Sequence, residues 1–304
     1  MLRKKSKIEN DPDKKLKISY WSKTKCTCPC CRRDFEKEEM LTGGGRMNAG
    51  ELTDELHRIY LPSEKYGPVY PLIYAVGACP RCHVAFFWKD FEVIKDNDSI
   101  DALRLDEKNR KQKVETIFPH YDLSRDRTLL DGVAMCYLAL LSYEKVDLAY
   151  SPTFKRAMLS LRLAWLCNDL NKVAPGFNFD YPAQVFYRKA AFFYEQTLLN
   201  ETGQIETIAG VSNFGPDIDK NYGYDGVIYL IALLEYKYGQ KEDMFLRYKK
   251  LDSNKRSIAR IFGLGKSSKE KPGPLLENAR NLYDALASEL KDANTIDLGD
   301  DDDE

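Results

Sequence analysis

Six of the eight cysteines in this 304-residue chain lie in two short clusters in its first third. The first cluster holds Cys26, Cys28, Cys30 and Cys31, and the second holds Cys79 and Cys82, followed directly by His83. Each cluster contains a CPxC unit, and a CxxC turn places two thiolates on one side of a tight loop. Two such turns supply the four ligands that tetrahedral zinc requires. The spacing therefore predicts one zinc site with four ligands: Cys28, Cys31, Cys79 and Cys82.

A site of this kind has a structural role, because four protein ligands leave no open coordination position for a substrate. The two cysteine pairs lie further apart than in a compact zinc finger, so the segment between them is predicted to fold as an insert in a zinc-ribbon-like module. Cys26, Cys30 and His83 are expected to surround the ligands without binding the ion. A register in which Cys26 and Cys30 replace two of the ligands stays open.

Three other chemistries fit parts of the same pattern. Cys79 to His83 also spells CxxCH, the attachment signature of c-type haem, but that chemistry requires export and leaves the first cluster unexplained. A dithiol redox centre would need a strand–helix–strand unit around its CPxC, and the sequence shows none. Disulfide bonds are disfavoured because the chain reads as cytoplasmic. Structural zinc is the preferred interpretation.

Charge and hydropathy set the broad class of protein. The net charge of −1 gives no global attraction to nucleic acid or to a membrane surface, and 43% hydrophobic residues suffice for a substantial core. No apolar run follows the basic N-terminus as in a signal peptide, and no stretch reaches the ~20 apolar residues of a membrane span. We therefore expect a cytoplasmic protein without membrane insertion, in which Cys136 and Cys167 stay reduced.

The elements around the cysteines can be read from local patterns. A strand is expected from Lys17 to Ser22, a short helix from Ala49 to Tyr60, and a strand over Leu72–Val76 that leads into the second cluster. Aromatic residues within Val84–Trp88 are expected to cover the metal site. The charge-rich stretch 92–118 reads as a solvated helical connector, because its two signs of charge nearly cancel.

Helical periodicity dominates from Thr128 onward. Helices are predicted from Thr128 to Leu141, from Ser151–Pro152 through Leu166, from about Tyr181 to Asn200, from Asp225 to Tyr238, from Glu242 to Leu251 and from Pro274 to Leu290. Their apolar faces are wide, as in helices stacked between neighbours. The small-residue and aromatic offsets resemble tetratricopeptide repeats of irregular period, with an unrelated helical bundle as the alternative.

These patterns predict a mostly α protein with five segments. They are a disordered basic tail (1–17), a small zinc-ribbon-like α+β module (18–95), a charged helical connector (96–125), a tetratricopeptide-like helical domain (126–292) and a disordered acidic tail (293–304). The glycine-containing stretch 205–222 is expected to form an extended hairpin or a partner-binding loop. Gly263–Ser267 imitates the end of a phosphate-binding loop, but Arg260 stands where that motif needs glycine.

The chain also resembles an uncharacterised bacterial family. The residues that carry the resemblance are the CPxC with Phe35 four residues after Cys31, the segment Tyr70–Tyr74 that leads to Cys79–Cys82, and Leu161–Leu166. Members join an N-terminal cysteine module to tetratricopeptide-like helices, and the resemblance covers roughly residues 20 to 292. It implies an architecture, with Cys28, Cys31, Cys79 and Cys82 as the metal ligands, but no established activity. This chain has His83 where members usually carry glycine.

A stacked helical array without a recognisable catalytic constellation is typical of a non-enzymatic adaptor. We therefore expect this protein to bind a protein partner through its helices, with structural zinc in the N-terminal module. The first alternative is a nucleic-acid-binding regulator that uses the ribbon, the basic tail and Arg32, Arg33, Lys37 and Arg81. The second is a thiol redox sensor that uses Cys26 and Cys30.

Overall fold

A computed structural model describes residues 16–262 and 271–297, with side chains described as far as residue 291. Helices make up most of this part of the chain, and three small antiparallel sheets lie near its N-terminal end. No helix among the described residues is long and apolar enough to cross a membrane. The predicted basic tail falls almost entirely outside the described residues, as do residues 298–304 of the predicted acidic tail and the Gly263–Ser267 motif.

Each of the three sheets is a single hairpin. Strand β1 (Ser19–Thr27) pairs with β2 (Asp34–Met40), β3 (Asn48–Leu52) pairs with β4 (Arg58–Leu61), and β5 (Val76–Ala78) pairs with β6 (Ala85–Phe87). The first cysteine cluster lies mainly in the turn between β1 and β2, and the second lies in the turn between β5 and β6. The first and third hairpins therefore present the two CPxC units.

Two predictions for the segment between the clusters are wrong. The predicted helix 49–60 is the β3–β4 hairpin, and its turn residue Leu56 has a φ of 59° and is fully buried. Of the apolar residues that suggested a helix, Leu56 lies in the core and Leu52 packs against it, whereas Ile59 is exposed. The predicted strand 72–76 begins as a 3₁₀ helix, Pro71–Tyr74, because proline at the start favours a helical φ; only Val76 enters β5.

The predicted connector (96–125) contains two short helices, α2 (Asn97–Leu105) and α3 (Glu107–Ile117), and a shorter helix, α1 (Asp90–Val93), precedes it. It is not simply solvated, because Ile100, Leu103 and Val114 belong to the buried part of the molecule. The helical assignment is thus correct, whereas its description as a solvent-exposed element is wrong. The near balance of charges concealed a buried face.

Helix α4 (Leu129–Tyr143) is the most deeply buried helix in the described part of the chain. A capping box starts it: Thr128 Oγ1 accepts from the N–H of Asp131, and the Asp131 carboxylate accepts from the N–H of Thr128. Its middle is almost wholly apolar, and Gly132 lets it approach the 3₁₀ helix closely, since a Cβ there would lie 2.2 Å from the Cβ of Ile73. Helix α4 contacts β5, β6, α3 and α5 and so joins the β5–β6 hairpin to the remaining helices.

The remaining helices follow in sequence, each packing against the next along the chain. They are α5 (Pro152–Val173), α6 (Asp180–Thr202), α7 (Gly223–Tyr238), α8 (Met244–Phe262) and α9 (Gly273–Asp297). The helices α8 and α9 extend beyond their predicted ends, so residues 293–297 of the predicted acidic tail are helical. Residues 205–222 form no hairpin; the N–H of buried Ile208 donates to Glu201 of α6, and buried Asp217 bonds to His57 and Arg58 of the β3–β4 hairpin.

Candidate metal centre

The two CPxC turns repeat the same backbone geometry. In the first turn, the N–H of Arg32 donates to the carbonyl of Cys28 at 2.9 Å, and the N–H of Cys28 donates to the carbonyl of Arg33 at 2.9 Å. In the second turn, the N–H of His83 donates to the carbonyl of Cys79 at 2.9 Å, and the N–H of Cys79 donates to the carbonyl of Val84 at 2.8 Å. The two hairpins therefore present their cysteines as matched knuckles.

Each knuckle closes on a residue in the left-handed backbone conformation. Arg32 has a φ of 61° and His83 has a φ of 60°, values that cost a non-glycine residue about 1 kcal/mol. The departure from glycine at His83 therefore leaves the knuckle conformation intact. The hydrogen bonds within each turn and the hairpin around it hold these two residues in place.

The knuckles bring the four predicted ligands together. The Sγ atoms of Cys28, Cys31, Cys79 and Cys82 all lie within 4.8 Å of one another. Two pairs are closer: Cys28 Sγ to Cys82 Sγ is 3.6 Å and Cys31 Sγ to Cys79 Sγ is 3.5 Å. Tetrahedral thiolates with metal–sulfur bonds of about 2.3 Å stand about 3.8 Å apart. The four sulfur atoms thus lie at metal-binding distance, with a donor set suited to a thiophilic ion.

The electrostatics of the cluster favour a cation. The Cys28 thiol is surrounded by Cys79 and Cys82 and is buried, which raises its pKa far above the ordinary value. The hydrogen bond with Cys28 lowers the pKa of Cys82 to about 7. Several thiolates cannot share so small a buried volume without a compensating positive charge. A divalent metal ion would supply that charge and hold all four sulfur atoms deprotonated.

The other predicted residues lie around this cluster. Cys26 is on β1, and burial raises its pKa to about 11. Cys30 is buried, and a hydrogen bond with Cys82 lowers its pKa. The ring of His83 meets Tyr121 edge-on at 5.8 Å, and its buried Nδ1 has no hydrogen-bond partner in the described part of the chain. None of these three residues belongs to the group of four whose sulfur atoms converge.

Arg110 on α3 is a site residue that the sequence reasoning missed. Its side chain is 0% exposed. Its Nη2 donates to the carbonyl of Cys82 at 2.9 Å, its Nε donates to the carbonyl of His83 at 3.1 Å, and both Nη atoms reach the carbonyl of Leu103. Asp106 accepts from the same guanidinium at 3.3 Å. Arg110 therefore fixes the second knuckle to the connector. The charge-rich sequence around it gave no signal that this arginine is buried.

Aromatic rings pack beside the two hairpins, and the predicted cover of aromatic rings over the metal site stays a prediction. Phe35 from β2 and Phe86 from β6 both meet Phe91 of α1 edge-on, at 5.4 and 5.5 Å. Trp88 lies 6.2 Å from Phe35, and its Nε1 donates to the carbonyl of Tyr74 at 2.9 Å. These rings join the first and third hairpins on their apolar side. Packing between hairpins, rather than base stacking, accounts for the buried members of the cluster.

Comparisons with known proteins identify related bacterial sequences. A family model described as "Uncharacterized protein conserved in bacteria (DUF2225)" matches residues 21–286. A protein of Borreliella burgdorferi described as "Uncharacterized protein" is 42% identical over 276 residues, which cover 90% of this chain and 98% of the relative. No solved structure matches the chain. The match covers both cysteine knuckles and most of the helices, and the chain belongs to this bacterial family.

Proposed function

We propose that this protein is a non-enzymatic adaptor that binds a protein partner through its helices and uses zinc as a structural ion. Zinc is the ion that best suits four cysteine ligands in a closed tetrahedral site. In this role the ion ties the β1–β2 hairpin to the β5–β6 hairpin. The chemistry that it supplies is charge compensation for the thiolates.

The helices from α4 to α9 form the partner-binding part in this proposal. We interpret them as a degenerate tetratricopeptide-like stack, because each packs chiefly on its neighbour in sequence. Stacks of this kind offer extended surfaces that hold segments of other proteins. The irregular helix lengths, from 15 residues in α4 to 25 in α9, account for the irregular repeat period.

The observation that carries the proposal is an apolar groove between α3, α4 and α6. Its volume is about 610 Å³, and its lining is mainly Ile117, Tyr137, Val185 and Phe186. Phe177 and Tyr181 also line it, although their side chains are 71% and 73% exposed. Large aromatic residues left in water beside a groove are typical of a protein-binding surface. This groove, defined by these six residues, is the proposed partner groove.

The charge around the partner groove selects the chemistry of the partner. Lys189 lines the groove, and its pKa is lowered by partial burial and by the positive charges of Arg156 and Lys113. Lys113 is exposed and has no ion-pair partner in the described part of the chain. Glu144 offsets only part of this positive charge. We therefore propose that the partner presents an apolar segment flanked by acidic residues.

The β3–β4 hairpin already covers another helical surface. Its turn packs against α5 and α7, where Trp165, Tyr229 and Tyr238 form hydrogen bonds with it. This surface is therefore occupied by the chain itself. The partner groove lies elsewhere, on the part of the helices that faces α3, and remains open to a second protein.

Site-specific cross-linking in cells tests the proposal. A photo-reactive amino acid at Tyr181 is expected to capture one protein, whereas the same amino acid at Phe245 on α8 is not expected to capture it. Phe245 is a matched control because it is aromatic and 82% exposed, but it does not line the groove. The captured protein is then purified, and its affinity for this chain is measured directly.

Substitutions decide whether the groove is responsible. The double change Phe177→Ser and Tyr181→Ser should weaken the purified complex by at least about tenfold, since exposed aromatic anchors often carry much of the binding energy. Phe245→Ser should leave the affinity unchanged. Equal affinity in the groove variant and in wild type, or cross-linking at Tyr181 to nucleic acid alone, would overturn the adaptor proposal.

One observation favours a nucleic-acid-binding function as the second candidate. Arg32, Arg33 and Arg81 are exposed at the two knuckles and have no ion-pair partner among the described residues. Phosphate groups could contact such a cluster. Its test is the affinity for RNA and DNA as a function of salt, which must fall steeply as salt rises and must decrease in Arg32→Gln with Arg81→Gln. Affinity insensitive to salt would rule this candidate out.

A further inference from the structure

A second cavity, of about 490 Å³, lies between β6, α1, α5 and the segment 210–213. One helical face of α5 forms part of its wall through Lys155, Met158 and Arg162, and Ser151 lies directly before this helix. We call this cavity the α5 pocket. Its size falls within the range of small-molecule binding sites.

Arg162 is the most informative residue of the α5 pocket. Its side chain is only 5% exposed, yet its one hydrogen bond runs from Nε to the carbonyl of Pro216, at 2.6 Å. The two terminal nitrogens therefore have no acceptor in the described part of the chain, although they are not sealed from solvent. Buried arginines are normally satisfied by several acceptors. This guanidinium has free donors that face a cavity.

Asp217, the acidic residue whose charge acts on Arg162, already forms hydrogen bonds with other residues. Asp217 contributes a favourable charge to Arg162, but its carboxylate accepts hydrogen bonds from His57 at 2.6 Å and from the N–H of Arg58 at 2.9 Å. The ring of Phe87 lies 5.3 Å from the guanidinium and offers a weaker, uncharged contact. Neither group supplies an acceptor for the terminal nitrogens.

The remaining charges of the α5 pocket make it positive. Lys89 is exposed at its edge and has no ion-pair partner in the described part of the chain. Lys155 pairs with Asp90 at 2.6 Å, and Asp90 is the only acidic side chain that the described residues contribute to the lining. Three cations against one carboxylate leave a net charge of +2 (3 − 1 = 2). A phosphomonoester dianion matches this charge better than a single carboxylate does.

The other walls of the α5 pocket are suited to an uncharged body. Phe87, Tyr150, Val93 and Met158 provide apolar and aromatic surface, and Ser212 and Asn213 provide polar groups. A few polar groups in a largely apolar cavity are typical of sites for small molecules. We propose that the α5 pocket binds a small phosphomonoester, with its phosphate on Arg162 and the lysines and its organic part against Phe87 and Tyr150.

Calorimetry on the full chain tests this proposal with four probes: inorganic phosphate, adenosine monophosphate, adenosine and succinate. We expect adenosine monophosphate to bind more tightly than inorganic phosphate, and adenosine and succinate to bind at least about tenfold more weakly than adenosine monophosphate. Affinity should also fall as the salt concentration rises. Such a ranking identifies the phosphate group as the recognised feature.

Variants then locate the site. Lys89→Glu should weaken adenosine monophosphate about tenfold, and Arg162→Met should weaken it about 100-fold. Arg162→Lys keeps the positive charge but loses the planar guanidinium that can donate two parallel hydrogen bonds to a phosphate. Its affinity should therefore lie between those of wild type and Arg162→Met. Lys249→Glu is the matched control, because Lys249 is exposed on α8 and outside the pocket.

Lys89→Glu keeps the test valid if the Arg162 variants fail to fold, because Lys89 is exposed and unpaired. Three results would overturn the proposal. The first is no binding of either phosphate-bearing probe at millimolar concentration. The second is that wild type and Lys89→Glu bind adenosine monophosphate with equal affinity. The third is that wild type binds adenosine, or succinate, as tightly as it binds adenosine monophosphate.

Discussion

Single residues at the knuckles carry the geometry of the metal centre. Arg32 and His83 adopt the left-handed conformation that glycine adopts more easily, and the N–H of each donates the hydrogen bond that closes its turn. The strain is small compared with the free energy of binding a metal ion to four thiolates. The cysteines can therefore converge without glycine at either closing position.

Metal content follows directly from the cysteine geometry. Purified wild-type protein is expected to contain about one zinc ion per chain, and Cys28→Ser or Cys79→Ser should lose it, because three thiolates and a hydroxyl form a far weaker site. Elemental analysis measures this. Cys26→Ser is the matched control and should keep the ion, since its sulfur does not belong to the converging group. Zinc retained in both ligand variants would contradict the assignment.

Arg110 is the residue that we expect to matter most outside the ligands. Arg110→Gln leaves the carbonyls of Cys82 and His83 without their donors, so the free energy of unfolding should fall by about 2–4 kcal/mol. Urea denaturation at neutral pH measures the loss. Lys108→Gln, an exposed change on the same helix, should have little effect. Equal stabilities for the two variants would show that the knuckle does not depend on Arg110.

At the scale of elements, the β3–β4 hairpin connects the N-terminal sheets to the helices. Glu55 in its turn accepts hydrogen bonds from Trp165 Nε1 at 2.5 Å and from Tyr238 OH at 2.9 Å. Tyr187 also donates to it, and the rings of Tyr187 and Tyr238 stack at 4.2 Å. The insert between the cysteine pairs is therefore a structural part of the helical region.

Removal of the Glu55 carboxylate tests this connection. Glu55→Ala leaves several buried donors unpaired, and we expect the free energy of unfolding to fall by about 2–4 kcal/mol. Glu51→Ala in β3 is the control, because Glu51 is exposed and has no partner in the described part of the chain. Chemical denaturation compares the two variants. A loss no greater than that of the control would mean that the hairpin contributes little to stability.

Asp217 attaches the same hairpin to the 205–222 segment and makes this attachment dependent on pH. Burial alone would raise the pKa of Asp217. A hydrogen bond from His57, the charge of His57, and hydrogen bonds from the backbone N–H groups of Ile218 and Arg58 together hold this pKa below the ordinary value. A lowered pKa in the folded state means that ionised Asp217 stabilises the fold above about pH 4. This contribution is lost as the pH falls through the folded-state pKa.

The pH dependence can be measured with one variant. Asp217→Asn should lower the free energy of unfolding by about 1–3 kcal/mol at pH 7, and the difference from wild type should shrink as the pH falls below about 4, because protonation of the Asp217 carboxylate then favours the unfolded chain. Asp284→Asn, on an exposed part of α9, should show no such trend. A difference that stays constant from pH 7 to pH 3 would contradict the role of the carboxylate.

At the scale of the whole molecule, the metal centre and the helices share one core. Cys28, Cys79 and Cys82 belong to the same buried cluster as residues of α4 and α5. Strand β6 is also bonded to α4, since the N–H of Ala85 donates to Ser142 Oγ and the N–H of Phe87 donates to Tyr143 OH, both at 3.1 Å. The predicted boundaries at 95/96 and 125/126 stay predictions, but no break in buried contacts marks them.

Chelation of the ion should therefore affect more than the hairpins. We expect strong chelators to lower the unfolding temperature of the whole chain by roughly 10 °C or more, in a single transition followed through the helical signal. Cys28→Ser should already unfold at the lower temperature and should not respond further to the chelator. A helical transition that keeps its temperature after chelation would show that the helices fold independently of the metal.

Local sequence was sufficient for the features that local chemistry controls. The CPxC units indicate the four converging cysteines, since proline and the short spacing dictate the turn that presents each pair. The capping box at Thr128 and the proline at position 152 mark where α4 and α5 begin, because these signals act within a single turn of helix. Ser151 is an exception: its hydroxyl donates to the carbonyl of Thr207 instead of capping α5.

Tertiary contacts decided the rest, because the partners lie far apart in the chain. Glu55 meets Trp165 across 110 residues, and this contact makes residues 49–60 a hairpin although their apolar spacing also suits a helix. Arg110 can be buried because the carbonyls of Cys82 and His83, 28 and 27 residues earlier in the chain, accept its hydrogen bonds. The α5 pocket likewise exists only where β6, α1, α5 and the 210–213 segment meet. Contacts between residues so far apart in the chain produce no local hydrophobic pattern, so they could not be predicted from the sequence.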